Sequence, residues 1–109
     1  MKIGSLEETV EEDISHKKGI RKKVMLRKGQ IPHITQFAQA IIPAGEIVEG
    51  HSHQDMYEIY LVEEGEGEVK INGMKYPLKK GSYVIIEPGE NHEFSSNSEL
   101  ILTYFGVRI

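Results

Sequence analysis

From Ile20 onward the chain is cut into short apolar runs by turn-forming residues, and this punctuation leaves room for strands but not for long helices. KKVMLRKG (22–29) stops at Gly29, ITQFAQAII (34–42) stops at Pro43-Ala44-Gly45, and EIYLVEEG (58–65) runs into Gly65-Glu66-Gly67. EVKIN (68–72) passes into MKYPL (74–78) through Asn72-Gly73, the strongest short hairpin signal there is. SYVIIEPG (82–89), HEFSS (92–96) and ELILTYFGVRI (99–109) complete the series. The pattern predicts about eight to ten short strands in an all-β sandwich or barrel. Only LEETVEEDI (6–14) is a candidate for helix, and it is short and acidic; a turn of helix or a loop leading into Ile14 is expected there.

Within EIYLV, Glu58, Tyr60 and Val62 share one face while Ile59 and Leu61 share the other, because side chains alternate along a strand. Both faces are largely apolar. A strand of this kind needs cover on both sides, which predicts two sheets curled around a lumen and an outer face covered by an arm or a partner chain.

A length of 109 residues holds one domain. Residues 1–30 read as an N-terminal arm and edge strand packing on a barrel formed by residues 31–109. Residues 1–28 carry eight Lys/Arg against five Asp/Glu, whereas residues 29–109 carry five against twelve. The basic cluster HKKGIRKK (16–23) has no interleaved aromatic residues and no helix-turn-helix or RNA-binding pattern around it, so it predicts a solvated strand or arm and no nucleic-acid partner. No apolar run approaches the roughly 18 residues that cross a membrane. The N-terminus is acidic where a signal peptide is basic, and with no cysteine there is no disulfide framework or thiolate chemistry. A cytoplasmic protein is expected.

The chemistry-bearing residues are concentrated in GEIVEGHSHQDMYEIYLVEEG (45–65). His51 and His53 are two positions apart, so on an extended strand both rings point to one side. A turn through Gln54-Asp55-Met56 can return Glu58 to face them. Two imidazoles and a carboxylate with open positions suit divalent iron, manganese, nickel or zinc. His92 follows a turn at Pro88-Gly89-Glu90-Asn91 and can add a fourth ligand from a strand distant in sequence.

These residues carry a family resemblance. Gly45, His51, His53, Glu58 and Gly65 match the first cupin motif, G-x5-H-x-H-x4-E-x6-G, without a gap. Gly81, Gly89 and His92 match the second, G-x5-P-x-G-x2-H-x3-N, in which Glu87 takes the proline position and Ser96 the terminal asparagine. With 15 residues between the motifs (66–80), the chain resembles compact single-domain bacterial cupins over about residues 36–106. The resemblance implies a double-stranded β-helix, or jelly roll, with a divalent metal held inside the barrel by His51, His53, Glu58 and His92.

Tyr60 and Phe94 share the faces of Glu58 and His92 and are expected to line the substrate pocket. Gln36 and Gln39 have opposite parity, so only one points inward; Gln36, Ala38, Ala40 and Ile42 together make an inner face with room for a ligand. Tyr57 is expected to point outward, His33 to lie at the surface in a loop, and His16 to be solvated in the basic cluster.

The same barrel serves oxygenases, isomerases, decarboxylases and binding modules, so the fold alone does not name a function. The reading favoured here is a metal-dependent enzyme acting on a small chelating substrate. The ion would be a Lewis acid or an oxygen-activating centre, with Glu58 as the catalytic base. Several cupin dioxygenases use three histidines and one glutamate, which tips the preference to an oxygenase. A sugar-type isomerase or lyase is the alternative; a phosphosugar would want cations at the pocket, and the barrel strands offer only Lys70, Lys75 and Arg108. The third reading is a non-enzymatic small-molecule or metal-binding module, which the lack of an attached reporter domain weighs against. The doubly apolar strands, and the habit of similar small cupins, predict a homodimer.

Overall fold

The computed structural model describes residues 1–14 and 17–109, with nothing described for the side chains of Lys17 and Lys18. His16, expected to be solvated, lies outside the described residues. The chain forms ten strands: β1 (Glu11–Ile14), β2 (Lys17–Arg27), β3 (Ile34–Ile42), β4 (Ile47–His51), β5 (Met56–Glu64), β6 (Gly67–Ile71), β7 (Met74–Leu78), β8 (Tyr83–Ile86), β9 (His92–Ser96) and β10 (Leu100–Arg108). They make an antiparallel six-stranded sheet, in the order β1-β2-β3-β10-β5-β8, and a four-stranded sheet, β4-β9-β6-β7. This is the expected jelly roll. Among the described residues no helix is long and apolar enough to cross a membrane.

Alternation along the strands puts one face of each sheet into a shared core. Along β10, Leu100, Leu102 and Tyr104 are buried while the residues between them are half-exposed. Ile42 and Ala40 face them from β3, Val62 and Tyr60 from β5, and Ile20 joins from β2. Val48, Val69, Leu78 and Phe94 close the core from the four-stranded sheet. Removing an aliphatic side chain of this kind from water stabilises the fold by about 1.5–3 kcal/mol.

The turn glycines have steric work to do at one position in particular. Gly65 has φ +92°, and a Cβ there would run into the backbone of Glu99 and Leu100. The β5–β6 connection therefore crosses directly against the start of β10, an approach open only to glycine. Ser96, which departs from the motif, is buried and closes the β3–β4 turn instead. Its hydroxyl donates to the Pro43 carbonyl at 2.5 Å and accepts from the Glu46 N–H at 3.0 Å.

The N-terminal segment differs from expectation. A turn spans residues 5–9, with Glu8 and Thr9 N–H groups donating to the Ser5 and Leu6 carbonyls, but the acidic run then becomes strand β1. The reason is charge complementarity across a strand pair. Glu11, Glu12 and Asp13 stand opposite Lys23, Lys22 and Arg21 on β2. Arg21 meets Asp13 at 2.8 Å, and Arg27 meets Glu12 at 2.6 Å. The arm continues the six-stranded sheet beyond β3 and leaves the outer face of β5 uncovered. Tyr57 (40% exposed), Leu61 (43%), Tyr83 (71%) and Ile85 (57%) form an apolar surface there. Within one chain, the cover expected for that face is missing.

One polar cluster interrupts the same outer face. The Thr103 hydroxyl (2.5 Å) and the Gln39 amide (2.7 Å) donate to Glu63 Oε2 and hold that carboxyl below the usual glutamate range. A depressed folded-state value contributes stability that is present above the unfolded value and lost as pH falls through the folded one. Thr103→Val should therefore melt below the parent protein at neutral pH, with the gap closing as acid protonates Glu63; a gap constant with pH in melting curves would contradict this. Leu100→Ala, at a fully buried site facing Ile42, should cost about 2–5 kcal/mol in denaturant titrations.

Candidate metal centre

Four potential ligands reach one point from three directions. His51 ends β4 and pairs in register with His92, the first residue of β9, so their rings lie on one side with centroids 4.3 Å apart. His53 is not on the same strand, as the spacing had suggested. It lies in the loop between β4 and β5, where its carbonyl accepts from the Gly89 N–H at 2.8 Å. The chain has left the sheet by then, yet the loop returns the His53 ring to 5.0 Å from His51. Glu58 comes from β5, in the opposite sheet. The ligand atoms of all four residues lie within 4.8 Å of one another.

The protonation pattern follows from the backbone. Nδ1 of His51 lies 3.2 Å from the Glu49 carbonyl, and Nδ1 of His92 lies 3.2 Å from the Glu90 carbonyl. A proton on Nδ1 satisfies each carbonyl, and Nε2 of His92 is the nitrogen turned toward the carboxylate. His92 Nε2 faces Glu58 Oε1 at 3.0 Å. Both atoms are buried without a hydrogen-bond partner, in residues only 1% and 8% exposed. His53 Nε2 stands 3.6 Å from the same carboxylate oxygen. Ring nitrogens and a carboxylate oxygen at this separation need a cation between them, a proton or a metal ion. The donor set fits a divalent ion.

Burial alone would raise the Glu58 carboxyl; contact with His92 and the fields of His92, His53 and His51 outweigh it and hold the group below its ordinary value. Its second oxygen, Oε2, accepts from the Tyr60 hydroxyl at 3.3 Å. Tyr60 stacks on Tyr104 with centroids 5.0 Å apart and packs on Phe94 at 4.7 Å. Burial, and next the Glu58 charge, push the Tyr60 hydroxyl well up and that of Tyr104 up to about 12, so both remain neutral. Glu58 is thereby oriented, with Oε1 turned to the imidazoles.

A cavity of about 530 Å³ opens beside the cluster. Tyr60, Phe94 and Gln36 line it, while Gln39 turns outward to Glu63. Ala38 does not line it. Ala38 lies fully buried between Tyr104 on β10 and Val24 on β2, whose longer side chains cover its methyl group; Ala40 and Ile42 form that wall instead. Tyr57 and His33 are exposed. Lys70 pairs with Glu93 and Arg108 with Asp55, and neither they nor Lys75 reaches the cavity. The cations that line it are Lys22, Arg27 and Lys28, from the arm that reads as merely solvated. The alternation Ile20-x-Lys22-x-Val24 carried the signal, since it sets Lys22 on the same face as two apolar residues.

The family model described as "Cupin domain" matches residues 38–107. An oxalate-binding protein from Thermotoga maritima is 33% identical over 73 residues, which span 67% of this chain and 60% of that protein. HTH-type transcriptional activators RhaS from Yersinia species are 41% identical over 51 residues, 47% of this chain but 19% of theirs. The chain thus spans less than two thirds of the curated relatives it matches. Among solved structures, a predicted oxalate decarboxylase from Thermotoga maritima superposes with a TM-score of 0.91 at 25% identity, covering 99% of this chain and 100% of that one. Ectoine synthase from P. lautus, at 22% identity, shares the fold with a TM-score of 0.84 over 99% of this chain and 78% of its own.

The lowered Glu58 carboxyl makes a prediction for the metal-free protein: its ionised form contributes stability that is present above the unfolded value and lost as pH falls through the folded one. Glu58→Gln should therefore melt below the parent at neutral pH in chelator-treated samples, with the gap closing in acid; an equal or higher melting temperature at neutral pH would contradict this.

Proposed function

The chain belongs to the cupin family, and on that premise we propose that it binds one divalent metal through His51, His53, Glu58 and His92 and uses it to hold a small chelating carboxylate ligand. The observation that carries this reading is the convergence of the four side chains on one point, with the buried Glu58 Oε1 and His92 Nε2 3.0 Å apart. The likeness to an oxalate-binding protein and to a predicted oxalate decarboxylase supports the ligand class. The metal identity is iron, manganese, nickel or zinc on the donor set.

When bound, the ion supplies Lewis acidity toward a chelated oxygen, or oxygen activation if it is redox-active. The chain's own residues do the rest. His51, His53 and His92 would offer ring nitrogens to the ion, and Tyr60 keeps Glu58 turned toward them. Tyr60, Phe94 and Ile42 wall the cavity with apolar surface that limits water around the ligand. Released from the ion, Glu58 would be the base that takes a substrate proton, with Tyr60 hydrogen-bonded to its far oxygen. Among reactions, an oxygenase suits the open positions of this ligand set. The likeness to a protein described as oxalate-binding supports a second reading, ligand capture without turnover.

We further propose that the apolar outer face of β5 and β8 is buried against a second copy of the chain in a two-fold dimer. Light scattering should give twice 12.4 kDa, and a mass of 12.4 kDa would leave that face without a partner.

Metal analysis by mass spectrometry should find about one divalent ion per chain. The His51→Ala/His53→Ala double variant should lose it while staying folded, since a barrel core does not depend on the ion as a zinc finger does. His92→Ala should weaken retention without abolishing it. Unchanged metal content in the double variant would defeat the assignment. With metal-loaded protein and a panel of chelating carboxylates, oxygen uptake would identify an oxygenase, and binding without turnover would identify a binding module.

A further inference from the structure

The cavity is not electrically uniform. One wall carries the His–Glu cluster, and β2 brings Lys22, Arg27 and Lys28 to the rest of the lining. The three cations are in different situations. Arg27 is matched by Glu12, which it meets through both terminal nitrogens, at 2.6 and 3.3 Å. Lys28 lies exposed just past the end of β2. Lys22 is half-buried within the strand, and its ammonium donates to Gln36 Oε1 at 2.9 Å. Glu12 stands opposite Lys22 in the β1–β2 register, but its carboxylate is engaged by Arg27. Among the described residues no carboxylate comes within ion-pair distance of Lys22. The Gln36 amide orients this charge without cancelling it; Glu12, held by Arg27, acts on it only through its field, and two of the three ammonium donor positions are not taken by Gln36.

The register states where that charge lies relative to Glu58. Gln36 is opposite Gly106, and Gly106 is opposite Glu58, so the three form one row across β3, β10 and β5. Strands are about 4.8 Å apart, which separates Gln36 from Glu58 by roughly 10 Å along the floor. The residue between them has no side chain. A Cβ at Gly106 would meet Thr35 Oγ1 and Met56 Sδ, both in residues that line the cavity. The floor between the carboxylate ligand and the Lys22–Gln36 pair is thus Gly106 with the Thr35 hydroxyl and the Met56 sulfur packed against it, and one cavity runs along all of them.

We infer that Lys22, held by Gln36 in the same cavity as the His–Glu cluster and across the Gln36–Gly106–Glu58 row from it, is a specificity-determining anchor for a second anionic group on the ligand. The inference rests on the metal-centre reading above and narrows it to dianions: one end chelates at the cluster, and the far carboxylate oxygens meet the Lys22 ammonium. A charge-assisted contact in a half-buried site favours such a ligand over a monoanionic chelator of the same bite.

The test uses the full chain loaded with Mn²⁺ and titrated calorimetrically with oxalate and with glycolate, a chelator that lacks the second carboxylate. Parent protein should bind oxalate more tightly than glycolate. Lys22→Met keeps the aliphatic stem and should weaken oxalate binding on the order of tenfold or more while leaving glycolate affinity and Mn²⁺ content within about twofold. Lys22→Arg should restore most of the preference for oxalate, and melting curves verify that both variants fold. If Mn²⁺ is retained but oxalate affinity is the same in Lys22→Met, or the parent does not prefer oxalate, this inference is overturned and the metal centre stands. If the parent retains no divalent metal, both fall together.

Discussion

Strand β10 is the constraint on which the rest of the structure depends. It is the last strand in the chain and lies in the middle of the six-stranded sheet, paired with β3 on one side and β5 on the other. Its inward residues Leu100, Leu102 and Tyr104 fill the space between the sheets. Its Gly106 sits between Gln36 and Glu58, so one strand sets both the packing of the core and the spacing of the cavity floor. These are contacts between residues far apart in sequence, whose loop-closure entropy must be offset by burial.

The cluster at the cavity gathers four titratable groups at one point. Carbonyls of Glu49 and Glu90 lie against the outer nitrogens of His51 and His92. Tyr60 holds one oxygen of Glu58, while the other faces His92 and His53. Burial works against the Glu58 charge and the imidazoles work for it, so the carboxylate is kept in the interior by the groups it faces.

The arm joins the two parts of the molecule. Ile20 enters the core, while two residues on, the same face of β2 brings Lys22 to the cavity. Acidic β1 secures that strand from its outer edge and matches Arg27, so the charge facing the cavity depends on how β1 and β2 pair. Fold and electrostatics of the site are therefore set by the same ladder.

Much was legible in the sequence. Turn residues such as Asn72-Gly73 and the alternation of β3, β7 and β9 marked strands at their observed bounds, because those signals are local. The spacing of His51, His53, Glu58 and His92 singled out the residues that the fold brings together. Other features depended on pairing between distant segments. The acidic run Glu11–Asp13 became a strand because Arg21–Lys23 lay opposite it, and no local pattern says so. Ala38 and Ala40 share a parity, yet one is covered by Tyr104 and Val24 and the other lines the cavity. The sequence by itself determined the strand periods, the turns and the ligand types, which follow from each residue's own geometry and chemistry. Only the tertiary structure decided that His53 joins the cluster from a loop, that Lys22 faces the cavity and that the outer face of β5 is exposed among the described residues of one chain, because register across strands is fixed by the whole sheet at once.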